Sequence, residues 1–289
     1  IILAGGTGSR LNPITLGVCK QLLPVFDKPM IYYPLSTLML SGIKKILIIT
    51  NKYDQPNFKR LLGNGKHLGI SIEYAIQDKP EGLAQAFTIG ESFIQESPVA
   101  LILGDNLFHG QDLIKKLKSC NFSNYGAKLF AYPVRDPQNY GVAEFNKKGD
   151  LINIVEKPKN PKTKYAITGL YFYDNSVIKR AKNIKKSKRG EYEITDLNLS
   201  YIKDNKMSIE LLGRGMAWLD TGNFESLYEA SGYIRTLEHR QGLKIGSPEE
   251  IAWRLGWINN TELFEVAKKC INSEYGLYLQ NLVSSSMNP

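Results

Sequence analysis

Apolar residues in the first half of this 289-residue chain fall into short runs, separated by stretches where they recur every three or four positions. The runs read as strands: "IILAGG" at the start, "KKILIIT" (44–50), "SIEYAI" (71–76) and "VALILGDN" (99–106). Between them, "MIYYPLSTLMLSGI" (30–43), a segment around "QPNFKRLLGNG" and "GLAQAFTIGESFIQ" (82–95) read as helices. Near-continuous apolar strands alternating with helices predict an α/β, Rossmann-like, doubly wound parallel sheet covered on both faces. Gly42 is placed to end its helix and Pro98 to end the next connection.

Beyond about residue 128 the pattern turns toward strands, so the sheet is expected to be mixed. "NYGVAEF" (139–145) and "LINIVEKP" (151–158) flank "NKKGD", which reads as a hairpin. "YAITGLYFYDN" (165–175) and "GMAWLDTG" (215–222) add strands to this β-rich part. From Glu225 the pattern is helical. Ser247, Pro248 and Glu250 there have the spacing of a cap, a first helical position and a reciprocal capping partner. The expected organisation is a core over 1–224, divided near 128, with a helical C-terminal extension over 225–289 packed on it.

Composition narrows the function. Hydrophobic residues make up 43% of the chain, which argues for a packed domain. No apolar run reaches the ~18 residues of a membrane span, and no signal-peptide pattern opens the chain. Cys19, Cys120 and Cys270 lie far apart, with neither metal spacing nor a disulfide framework, which points to a reducing, cytoplasmic setting. The chain starts at Ile1 without a methionine, so a few residues are expected ahead of it and the first strand is expected to be cut short. His67, His109 and His239 are isolated and form no triad. The net charge of +9 gathers in "KPKNPKTK" (157–164) and "KRAKNIKKSKR" (179–189), which read as solvated surface. Without interleaved aromatics or a reading helix, nucleic acid is disfavoured. A small anionic substrate would account for positive charge near a site equally well.

The first strand runs into Gly5-Gly6-Thr7-Gly8, then Ser9-Arg10. Glycines there let backbone N–H groups approach a phosphate closely. The loop lacks the Lys-Ser/Thr ending of a Walker motif. Read as a dinucleotide fingerprint from Gly6, its third glycine is replaced by Leu11. A plain tight turn remains the alternative, although Arg10 and Lys20 beside the loop supply two cations suited to a polyphosphate.

"LAGGTGSRLNPITLGVCKQLLPVFDKPMI" resembles the signature of the sugar-phosphate nucleotidyltransferases. The resemblance continues in family order through "EGLAQAF", "LGDN", "YGVAEF", "EKP", "TGLYFYD" and "AWLDTG". It is closest to the members that use dTTP and glucose 1-phosphate, making dTDP-glucose for dTDP-sugar pathways such as that to dTDP-rhamnose. A uridylyl-transferring branch is the near alternative. It tends to carry Gly-Leu-Gly-His where this chain has "GLAQ" (82–85). A catalytically silent regulatory subunit is the alternative from another class, although Arg10, Lys20, Asp105 and Asp220 are all present.

The resemblance implies that residues 1–128 bind nucleotide and 129–224 bind sugar phosphate. It makes Arg10, Lys20 and Asp105 catalytic, and assigns the nucleotide to Leu3, Gly5, Gly6, Gly8, Ser9, Arg10, Gln21, Gln77, Gly82, Leu83 and Asp105. Tyr140, Gly141, Glu156, Lys157, Ile167, Tyr171 and Arg189 would take the sugar phosphate. Asp105 and Asp220 would hold Mg²⁺, a pairing that spacing alone does not supply. Glu156 suits sugar hydroxyls, while Lys157 and Arg189 suit phosphate. Plainer roles stay open: Lys20 facing solvent, Asp105 as a turn or cap residue, Glu156 or Lys157 as surface, Tyr171 as core. The resemblance further implies a homotetramer with a second nucleotide site at a subunit interface, near His109, Gly110 and Arg214. Relatives often show an aromatic pair where this chain has Phe108-His109.

Overall fold

The computed structural model describes residues 1–120 and 126–286. The chain begins with β1 (Ile2–Ala4), then a small ribbon of β2 (Pro24–Val25) and β3 (Lys28–Pro29). Helix α1 (Tyr32–Leu40), β4 (Lys45–Thr50), α2 (Gln55–Leu62) and β5 (Ser71–Ile76) follow. Strand β1 pairs in parallel with β4, and β4 with β5. The expected helix over 82–95 is two pieces, α3 (Gln85–Ile89) and α4 (Glu91–Ile94). They break at Gly90, where a Cβ would come within 2.9 Å of Ile1 Cδ1 and 3.0 Å of Ala86 O. Close approach to the sheet decides that joint.

The chain then returns to the other side of β1 as β6 (Val99–Leu103), again in parallel. This reversal opens a crevice at the carboxyl ends of β1 and β6, where ligands gather in doubly wound sheets. The run "VALILGDN" is not one strand. It ends at Leu103, turns at Gly104 and Asp105, and resumes as β7 (Asn106–Gly110) outside the main sheet. Gly104 donates to Leu3 O at 2.9 Å and leaves no room for a Cβ, which Gln21 Cγ would meet at 2.9 Å. Asp105 therefore sits in a turn rather than at a strand end.

Helix α5 (Leu113–Lys118), β8 (Ala127–Pro133), β9 (Gly141–Phe145), β10 (Leu151–Glu156) and β11 (Tyr165–Tyr173) come next. Strands β9 and β10 form the expected hairpin. Antiparallel pairing of β11 with β6, β8 and β9 joins this part to the parallel strands. Helices α6 (Val177–Asn183) and α7 (Ile194–Lys203) precede β12 (Met207–Leu211), which pairs with β8, and β13 (Met216–Asp220), which pairs with β7. The described residues thus form a nine-stranded mixed sheet and two separate ribbons.

Alternation along the central strands feeds two apolar layers. Ile2, Ala4, Ile46, Ile48 and Ile102 face one cluster with α1 and α2, while Leu3, Leu47, Ile49 and Leu101 face the other with α3 and α7. Burying a fully covered side chain such as Phe58 contributes about 1.5–3 kcal/mol.

The C-terminal helices are α8 (Phe224–Gln241), α9 (Pro248–Arg254), α10 (Asn260–Lys268) and α11 (Glu274–Ser286). The last three residues of the expected extension lie outside the described residues. Helix α8 packs on Leu11, Val25, Met30 and Tyr33, whereas α9, α10 and α11 complete the layer over α1. At α9, Ser247 Oγ accepts from Glu250 N at 3.4 Å. The Glu250 carboxylate turns instead to Arg254 and Tyr278, so only half of the expected reciprocal cap forms.

Candidate active site

The glycine loop leaves β1 at the crevice. A Cβ on Gly5 would lie 2.5 Å from Gln77 Oε1, so a larger residue here would push the Gln77 amide aside. Gly8 has φ +64°, a left-handed conformation that glycine adopts freely, and caps the short turn Ser9–Leu11. Gly6 and Ser9 are exposed, and Leu3 and Gln21 are buried behind them. Arg10 stands on that turn and reaches toward residue 222, where a Cβ would meet its Nη2 at 3.2 Å.

Lys20 does not face solvent. Its side chain is 7% exposed and ion-paired with Asp105. The other Asp105 oxygen, Oδ1, accepts from Asn106 Nδ2 at 2.8 Å. The Asp105 carbonyl accepts from Thr221 N and Oγ1, at 3.1 and 3.0 Å. Antiparallel pairing of β13 with β7 sets Asp220 opposite Asn106. The two aspartates are thereby neighbours although 115 positions apart. Burial pushes the Asp220 carboxyl above its usual range, and the Asp105 charge adds to this, while a hydrogen bond from Tyr140 opposes it.

Tyr140 donates to Asp220 Oδ1 at 3.0 Å, and its ring lies 5.2 Å from that of Trp218. Trp218 Nε1 donates to Asn106 Oδ1 at 2.6 Å, and Gly169 N donates to the same oxygen at 3.1 Å. Here the β11 register slips between Ile167 and Tyr171, and the Asn106 side chain fills the gap.

On the sugar side, Glu156 ends β10 and accepts from Thr195 Oγ1 at 2.7 Å. Lys157 follows it at φ +44°, with its N–H bonded to Tyr140 O at 3.0 Å. Tyr171 is buried and stacked on Tyr173, with its hydroxyl in the fields of Glu156 and Asp105. It serves core and site together. Arg189 is paired with Glu193 and lies 3.6 Å from Glu156. Gln77, on the other side, is buried and donates to Gln85 Oε1 at 2.7 Å. Gly82 has φ +108° and presses against the Tyr192 backbone, so the loop beside Leu83 is tied to the segment before α7.

One cleft of about 930 Å³ collects Arg10, Leu83, Asp105, Tyr140, Gly141, Glu156, Lys157, Ile167, Tyr171, Arg189 and Asp220. Leu3, Gly5, Gly6, Gly8, Ser9, Lys20, Gln21, Gln77 and Gly82 do not line it. Carboxylates outnumber basic side chains along the lining. The chain's positive surplus therefore belongs to its lysine-rich surface, and the cleft presents a few placed cations. Sequence reasoning missed Asn106, Thr195, Trp218 and Glu193. Asn106 and Trp218 lie inside quoted motifs, but nothing local in "EITD" marks Thr195.

His109 and Gly110 lie at the other end of the β7–β13 ribbon, and Arg214 just precedes β13 there. Gly110 pairs with Met216 and His109 with Ala217. At about 3.3 Å per residue this end lies roughly 13 Å from Asp220. His109 lies 6.1 Å from the Tyr233 ring, and burial lowers its pKa. Arg214 is exposed.

Among the described residues no group of three or more His, Cys, Asp or Glu side chains gathers to hold a metal unaided. The paired carboxylates of Asp105 and Asp220 instead suit a hard cation that takes its remaining ligands from phosphate oxygens and water. No described helix is long and apolar enough to cross a membrane.

A doubly wound sheet with a glycine loop, cations and paired aspartates at its switch point is the frame of a nucleotide-handling transferase. The chain belongs to the nucleotidyl transferase family, whose model matches residues 1–236. More particularly, it is 55% identical to glucose-1-phosphate thymidylyltransferase of Mycobacterium tuberculosis (strain ATCC 25618 / H37Rv), over 98% of each chain. It is 54% identical to the enzyme of that name from Neisseria meningitidis serogroup A, again over 98% of each. A crystal structure described as a Bacillus anthracis glucose-1-phosphate thymidylyltransferase in complex with sucrose superposes with TM-score 0.75 at 41% identity, covering 81% of this chain and 94% of that one. A UDP-glucose pyrophosphorylase complexed with UDP-glucose reaches TM-score 0.70 at 24% identity, covering 82% and 97%, and shares the fold.

Proposed function

We propose that the protein transfers the thymidylyl group of dTTP to glucose 1-phosphate, giving dTDP-glucose and pyrophosphate. The observation that carries this reading is the meeting of Arg10, Asp105 and Asp220 with Glu156, Lys157 and Arg189 in one cleft. The name shared by relatives at 55% identity supports it. A sugar-phosphate oxygen attacks the α-phosphorus while pyrophosphate leaves in line, which demands alignment and charge neutralisation more than covalent help. The loop from Gly5 to Ser9 wraps the triphosphate, with Arg10 and Lys20 on its oxygens. Leu3, Gln21, Gln77, Gly82 and Leu83 hold the nucleoside. Glu156, oriented by Thr195, accepts from sugar hydroxyls. Tyr140, Gly141, Ile167 and Tyr171 shape the sugar pocket, and Lys157 and Arg189 take the phosphate. Mg²⁺ held by Asp105 and Asp220 would neutralise charge on the transferring phosphate.

On this reading residues 1–128 serve the nucleotide, 129–224 the sugar phosphate, and the helices from 225 brace both. A cytoplasmic homotetramer, with a second nucleotide site around His109, Gly110 and Arg214, belongs to the same proposal, as does supply of dTDP-sugars on the route to dTDP-rhamnose. Initial rates with dTTP and UTP against a panel of sugar 1-phosphates test it. The highest kcat/KM is expected for dTTP with glucose 1-phosphate; a preference for UTP overturns the assignment.

A further inference from the structure

The segment before α7 closes on itself around one carboxylate. Ser187 N donates to Glu191 O and Gly190 N to Ser187 O, each at 2.9 Å. Ser187 Oγ donates to Glu193 Oε1 at 2.7 Å. Arg189 grips the same carboxylate with two bonds, Nε to Oε1 at 3.0 Å and Nη2 to Oε2 at 2.8 Å. Glu193 is the residue from which α7 starts, and its side chain is 12% exposed against 43% for Arg189. Glu191 and Glu156 stand 3.5 and 3.6 Å from Arg189 Nη2.

Among the described residues, the carboxylate contacts of the guanidinium thus run through Nε and Nη2. Nη1 takes part in none of these contacts, and Arg189 lines the cleft. A guanidinium offers donors on more than one edge, so an anchor on one side leaves a fork for phosphate on another.

We propose that Glu193 is a positioning residue for sugar-phosphate binding: tethered by Ser187, it fixes Arg189 so that the Nη1 end of the guanidinium meets the phosphate. The proposal rests on the reading of Arg189 as a phosphate contact. Its rival is that Glu193 stands in for the phosphate and competes with it. The tether favours the positioning role, because Glu193 keeps its own hydroxyl partner and need not leave when phosphate arrives. Ordering a long, exposed side chain before binding removes a cost otherwise met on association, and the size of that cost corresponds to roughly a three- to tenfold change in affinity.

Steady-state kinetics in both substrates test this on the purified enzyme, with thermal midpoints checking that each variant is folded. Glu193→Gln is expected to raise KM for glucose 1-phosphate about three- to tenfold, leaving KM for dTTP and kcat close to wild type. Added to Arg189→Ala, it is expected to cost nothing further, since it acts through Arg189. Ser187→Ala touches neither charge and is expected to raise the same KM to a smaller extent. A lowered KM in Glu193→Gln assigns Glu193 as a competitor and overturns the proposal. An unchanged KM in either single variant, or full additivity with Arg189→Ala, overturns it too. An unchanged sugar-phosphate KM in Arg189→Ala alone would instead remove the phosphate role of Arg189.

Discussion

Tyr140 and Asp220, eighty positions apart, are joined by a 3.0 Å hydrogen bond in which the phenol donates to the carboxylate. This bond favours the ionised acid against the burial that raises the Asp220 pKa. Tyr140→Phe is therefore expected to push that pKa higher still. If the ionised carboxylate is the working form, the acid limb of kcat/KM against pH should move to higher pH. An unmoved acid limb would separate Tyr140 from the function of Asp220.

The two aspartates should respond differently to neutralisation. Asp220→Asn removes a buried charge repelled by Asp105, so the metal-free protein is expected to gain thermal stability while activity collapses. Asp105→Asn leaves the Lys20 ammonium without its partner. Breaking a fully buried pair costs about 3–5 kcal/mol; the 23% exposure of Asp105 places this case below that range. Thermal midpoints without metal, and pyrophosphate release against Mg²⁺ concentration, check both variants. Wild-type turnover in Asp220→Asn would exclude it as a metal ligand.

Arg10 and Lys20 are expected to act on the transferring group rather than on ground-state affinity. Replacing Arg10 with Gln should reduce kcat by about 10³-fold, the scale of charge-stabilising arginines in phosphoryl transfer, with a much smaller change in dTTP binding. Lys20→Gln should behave alike, with some loss of stability because Asp105 loses its partner. Single-turnover rates and equilibrium dTTP titration distinguish this from equal losses in both quantities, the mark of simple binding.

Nucleotide choice should be graded. An apolar contact with the thymine methyl discriminates by about 1–3 kcal/mol, or roughly 5- to 150-fold. UTP is accordingly expected to be a usable but poorer substrate, as competition assays with both nucleotides would register.

Glu249 offers a test of stability against pH. It is buried and accepts from Tyr275 Oη, and burial raises its pKa above the ordinary 4.5. A carboxyl whose folded pKa is raised favours the folded state most at low pH. Its contribution is lost as pH rises from about 4.5 through the folded pKa. Glu249→Gln should then melt above wild type at pH 7, with the difference closing toward pH 4. A constant difference across that range would point to packing instead.

Much of the architecture was legible along the chain, because short β-branched runs such as "KILIIT" and "SIEYAI" bounded by polar segments favour strands, and a hairpin such as 141–156 pairs neighbours in sequence. The glycine loop was legible too, since close approach of a backbone is written in residue type. "VALILGDN" misled because its break at Gly104 comes from contact with Gln21 and Leu3, 83 and 101 positions away and so far outside any local window. The pairing of Asp105 with Asp220 depends on the β7–β13 ribbon, which no local pattern announces. Thr195 on Glu156 owes its role to the way α7 packs on the sheet edge, whereas Glu193 meets Arg189 only four positions away, within one segment. Local sequence determined the elements and the kinds of chemistry available to them. Only tertiary structure decided which distant charges meet, such as Lys20 with Asp105 and Asp105 with Asp220, because these pairings depend on distance in space and not on distance along the chain.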